Sequence, residues 1–146
     1  MRRFLFVCAI TLLAGCAATP SRYGTYGVVD AAASTAVAND AVMQLVALFP
    51  PALNRLDMQQ SATDAFGGAL TAGLRAKGYA VASYVPPRNG AAAPPAKGTP
   101  FAYTLTQQGN SNTYFLTLFV GSQTLSRIYV GENNGAYPAG AWAHKE

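Results

Sequence analysis

The chain has 146 residues, 51% of them hydrophobic, only 11% charged, and a formal net charge of +4. That length supports one domain with a real core and not two. Two of the ten basic side chains are Arg2 and Arg3. Without them eight Lys/Arg stand against six Asp/Glu, with no basic cluster, so the phosphate-tracking face of a nucleic-acid binder is not expected.

Arg2 and Arg3 precede an apolar run from Phe4 to Leu12, which closes on Leu13-Ala14-Gly15-Cys16. A positive start, a short apolar stretch and small residues before a cut are the layout of a secretory signal peptide. The run is far short of the ~20 residues of a membrane-spanning helix. The ending L-A-G-C resembles the lipobox of bacterial lipoproteins. There the Cys16 thiol would carry diacylglycerol and its new amine an N-acyl chain such as palmitate. Two or three chains anchor firmly where one does not. Ala17, in place of an Asp at the second mature position, favours sorting to the outer membrane of a Gram-negative envelope, facing the periplasm. With Cys8 discarded and Cys16 acylated, no thiol remains for a disulfide, a metal or catalysis.

The expected organisation is therefore a signal peptide over 1–15, a lipidated N-terminus and flexible tether over 16–30, and a single α+β domain over 31–146. The tether has Tyr23 and Tyr26 as its only large residues after Ala17. It is either a plain spacer or a segment whose tyrosines dock on a partner. A first helix is expected from Ala31 to Phe49, with Val42, Leu45, Val46 and Phe49 as its apolar stripe and Pro50-Pro51 as its stop. Leu53 to Gln59 is a candidate strand. Ser61 to Asp64 looks like a variant capping box for a second helix, Ala62 to Lys77, in which Gly67, Gly68 and Gly73 suggest close packing against the sheet. Gly78 suits its C-terminal cap.

Tyr79 to Val85 reads as a strand, and the Pro/Ala-rich stretch at 86–99 as a solvated insertion. Three alternating runs follow. Phe101, Tyr103 and Leu105 share one face, as do Tyr114, Leu116, Leu118 and Val120, and Ile128 and Val130 oppose Leu125, Arg127 and Tyr129. The expected fold is a two-layer α+β sandwich, two helices on a mainly antiparallel sheet of about five strands. The tail from Glu132 has turn composition, and Trp142 reads as a packing lid.

Chemistry is scarce. The only histidine, His144, lies near the end of the chain, where an orienting partner is hard to supply. No G-x-S-x-G or H-E-x-x-H occurs, and the carboxylates are scattered, so neither a catalytic site nor a metal or cofactor site is expected beyond the covalent lipid on Cys16. Arg127 reads as an exposed strand residue whose stem lies across tyrosine. Its sharper alternative is pairing with an acid, within the sheet or on a docked partner.

An ordered set of segments resembles the TrbH family of conjugal transfer lipoproteins. It comprises Cys16, DAVMQLVALFPPA (Asp40 to Ala52), ALTAGLRAKGYAV (Ala69 to Val81), FAYTL (Phe101 to Leu105), LSRIYV (Leu125 to Val130) and PAGAW (Pro138 to Trp142). Order and spacing carry the match, and the 86–99 loop is its point of departure. The resemblance implies a structural or assembly subunit of a type IV secretion (mating-pair formation) apparatus. Its partners would be other channel subunits, beside which it would serve as a ring-packing module. The alternative is a stand-alone periplasmic binding lipoprotein for peptidoglycan, a lipid or an envelope factor, with Tyr103, Tyr114, Phe115, Phe119 and Tyr129 lining a groove.

Overall fold

A computed structural model describes residues 21–87 and 95–146. The expected signal peptide, Cys16 and the middle of the 86–99 loop lie outside the described residues.

The first helix, α1 (Ala31–Leu48), starts where the Asp30 carboxylate accepts the Ala33 N–H, and Pro50-Pro51 ends it in a short 3-10 turn, Pro51–Leu53. Its buried face runs through Ala33, Val37, Ala41, Val42 and Leu45, so alanine lets it approach its neighbours closely. Its length and mean hydropathy of 1.3 would suit a membrane span by composition alone. Here that face is packed inside the domain, against α2 (Ala65–Ala76) and the sheet. The second helix begins later than the capping-box reading requires. Asp64 is itself the N-cap and accepts the Gly67 N–H at 3.0 Å, rather than an acid within the first turn. Gly78, at φ +91°, closes it, in the left-handed region where glycine is unstrained.

Among the described residues eight strands form one sheet: β1 (Gly24–Tyr26), β2 (Arg55–Met58), β3 (Ala80–Ala82), β4 (Thr99–Gln107), β5 (Thr113–Val120), β6 (Gln123–Glu132), β7 (Gly135–Pro138) and β8 (Ala143–Lys145). The order is β3-β2-β4-β5-β6-β7. The edge of β4 away from β5 is shared end to end, β2 pairing with Thr99–Phe101 and β1 with Thr104–Thr106. The far edge of β6 is shared likewise, β8 beside Thr124–Ser126 and β7 beside Tyr129–Glu132.

The α+β, two-layer expectation holds, but the strand count of about five and the mainly antiparallel sheet are corrected. The sheet is mixed. β2 pairs in parallel with β3 and β4, and β1 in parallel with β4. The helical crossover through α2 returns the chain to the end from which it started, which makes β2 and β3 parallel. Only β4 to β8 follow antiparallel pairing.

Both helices cover one face. Phe101, Tyr103 and Leu105 of β4, Leu116 and Leu118 of β5, and Leu125 and Tyr129 of β6 are fully buried beneath them. Phe66 of α2 meets the Tyr103 ring edge-on at 4.9 Å between centroids. Gly67 lies against the Tyr103 hydroxyl and Gly73 against Val42 of α1, so two of the three helix glycines do mark close approaches. Gly68 faces open space.

Candidate functional site

Two polar nodes join the layers. In the first, Asp40 of α1 reaches β6: Arg127 Nη1 donates to both Asp40 oxygens at 2.8 and 3.1 Å, and the Tyr129 hydroxyl donates to Oδ2 at 2.7 Å. Arg127 Nε donates to the Gly140 carbonyl, and its guanidinium lies 5.6 Å from the Trp142 ring centroid. Trp142 meets Tyr129 edge-on, which is the packing role expected of it. Burial, reinforced by the bond to Asp40, pushes the Tyr129 phenol far above its ordinary pKa, so it stays a proton donor.

In the second node Asp64 serves three elements. It caps α2, accepts the Tyr103 hydroxyl at 2.6 Å and accepts the Thr25 hydroxyl of β1 at 2.8 Å. Burial alone would raise its pKa, but the hydrogen bonds from Tyr103, the Gly67 N–H and Thr25 outweigh that and hold it below the ordinary value. A third carboxylate, Asp57, is held low by its bond from Arg55 and by the Lys97 and Gly98 N–H groups, which tie the returning loop to β2. Every buried side-chain nitrogen or oxygen among the described residues has a partner. No group of three or more His, Cys, Asp or Glu among them could hold a metal. Each of these contacts fastens one element to another.

The N-terminal segment is fastened too, which corrects the expectation of a flexible tether through residue 30. Besides the β1–β4 ladder and Thr25, the Val28 N–H donates to Gln107 Oε1 at 3.0 Å. Tyr23 packs on Phe119 with ring centroids 5.3 Å apart, and the Tyr26 hydroxyl donates to the Ser21 carbonyl. A three-residue strand with two small residues leaves no periodic signal, so it was not visible in the sequence.

Among the described residues, no helix covers the other face of the sheet. Cross-strand register places Tyr26, Thr106, Phe115 and Ile128 in one row of that face, with Val130 and Tyr137 paired beside it. Tyr26, Phe115, Ile128 and Tyr137 are between 39% and 55% exposed. Intervening outward positions on β4 to β6, such as Thr104, Thr117 and Ser126, are uncharged. This apolar surface is the candidate site, and what it can do is dock.

Of the residues singled out in the sequence, Tyr23 and Tyr26 lie on or beside this face. Arg127 does not: it points to the helix side, where Asp40 and Gly140 occupy its guanidinium. Its acid partner is on α1, a pairing that strand periodicity cannot reveal. Cys16 lies outside the described residues. Tyr103, Tyr114 and Tyr129 are buried under the helices and line no groove, while Phe115 and Phe119 face outward. A family model described as conjugal transfer protein TrbH matches residues 20–146. No curated protein and no solved structure matches the chain.

Proposed function

We infer that this chain, which belongs to the TrbH family of conjugal transfer proteins, is an outer-membrane lipoprotein serving as a structural subunit of a conjugal type IV secretion apparatus. The family match over nearly the whole chain is the observation that carries this reading. The L-A-G-C sequence ending at Cys16 supports the lipid anchor, and Ala17 supports the outer membrane. The satisfied polar nodes and the apolar outward face support a part that holds and docks rather than one that reacts. Its partners on this reading are other channel subunits.

Deletion of the gene, or Cys16→Ser in its place, is expected to lower the frequency of plasmid transfer between cells. Undiminished transfer in both strains would overturn the assembly role. Mass spectrometry of the mature N-terminus tests the anchor separately, because an unmodified Cys16 would remove it whatever the transfer frequency.

A further inference from the structure

The bare sheet face has a fixed relation to the start of the domain. Tyr23 stands on Phe119, so the chain reaches residues 21–23 on that face and not on the helix side. Seven peptide units separate Cys16 from Tyr23. At full extension they span about 25 Å, less than the thickness of a bilayer. An acyl anchor at Cys16 therefore keeps this face within that distance of the lipid. Tethering at such range gives an effective concentration on the order of millimolar, at which a weak surface affinity is enough for occupancy.

The composition of the face fits a lipid surface. Tyr26 and Tyr137 combine an apolar ring with a hydroxyl, the pairing favoured at the membrane–water boundary, and Phe115 and Ile128 add apolar area between them. Threonine and serine hydroxyls fill the intervening positions. Arg22, 5.0 Å from the Tyr23 ring centroid, and Lys145, in register with Thr124, bring positive charge to the margin.

We propose that the outward face formed by Tyr26, Phe115, Ile128 and Tyr137 seats on the surface of the membrane that carries the Cys16 lipid. This rests on the reading of Cys16 as an anchor. The helix layer then faces away from the membrane, and the exposed Met43 of α1 is open to protein partners.

The test uses the mature chain from Cys16 onward, coupled through its single thiol to a maleimide-headgroup lipid. The vesicles are phosphatidylethanolamine and phosphatidylglycerol containing brominated acyl chains. Two variants report position, Phe115→Trp and Met43→Trp, each in a Trp142→Phe background. Emission from Phe115→Trp is expected to shift to the blue and to fall about twofold on brominated vesicles, with Met43→Trp unchanged. No quenching at Phe115→Trp, or equal quenching in both variants, would overturn the seating. A blue shift of Phe115→Trp that grows with protein concentration without vesicles would overturn it too, by assigning the face to a second copy of the chain. Because the coupling is chemical, these failures leave the lipidation of Cys16 in cells untouched.

Discussion

At Gly67 a single methyl group separates two opposite outcomes. A Cβ there would overlap the Tyr103 hydroxyl and come within 2.9 Å of Ala62 Cα, whereas a Cβ at Gly68 meets nothing within 4 Å. Alanine at either position improves helix propensity by up to ~1 kcal/mol. Gly68→Ala is therefore expected to stabilise the domain by about 0.4–1 kcal/mol. Gly67→Ala is expected to destabilise it despite the same propensity gain, because Tyr103 would have to move from Asp64. Urea unfolding of the two variants side by side checks the contrast. Asp64→Ala removes a helix cap and leaves the buried Tyr103 hydroxyl without its acceptor, an expected loss of about 2–4 kcal/mol. Since hydrogen bonds hold the folded Asp64 below the ordinary carboxylate pKa of 3.8, its charge contributes stability that is full above that value and lost as pH falls through the folded pKa. The stability gap between the wild type and Asp64→Asn should accordingly shrink as the solution is acidified below about pH 4. A gap that stays constant would contradict the assignment.

Between elements, the Asp40–Arg127 pair ties α1 to β6, and it is partly exposed, so its Coulombic share is modest. The larger expected cost of Asp40→Ala, about 1–3 kcal/mol, comes from the buried Tyr129 hydroxyl that loses its acceptor. Tyr129→Phe in the Asp40→Ala background should recover part of that loss in thermal unfolding, and no recovery would place the cost elsewhere. The element boundaries legible in the sequence are those with strong local causes. Pro50-Pro51 stops α1, Gly78 ends α2, and alternation exposes both faces of β4, β5 and β6. What was not legible has long-range causes. β1, β7 and β8 are three or four residues each and gain their conformation from an existing edge, not from their own pattern. The early start expected for α2 failed for the same reason: Asp64 is claimed by Tyr103 and Thr25 from distant strands. Native-state hydrogen exchange would check the strand status of β1, with protection in its backbone amides expected to fall in Thr25→Ala.

At the scale of the molecule, the described residues form two layers in which helices cover one face of the sheet and not the other, and this asymmetry was only half visible in the sequence. The outward positions Phe115, Thr117 and Phe119 could be assigned to one side of β5 from alternation alone. That Tyr26 and Tyr137 complete the same surface requires β1 and β7, whose places come from tertiary pairing. The candidate site was thus legible in its centre and not at its edges. Arg127, read in the sequence as an exposed strand residue or one paired with an acid, belongs to the opposite side of the sheet and pairs with Asp40. At this scale the expected phenotype separates the surfaces: Ile128→Asp, exposed on the bare face, should leave the fold intact by circular dichroism yet lower plasmid transfer. Normal transfer in that variant would show that the face is dispensable.

The pairing of β1 with β4 also dictates an order of events. Gly24 meets Thr104, a partner 80 residues further along the chain. Ladders of such wide separation close late, after the intervening segments have collapsed. In a polypeptide made N-terminus first, β1 emerges long before the strand that captures it. Residues 24–26 thus stay loose through most of folding, and the sheet draws them in near its end.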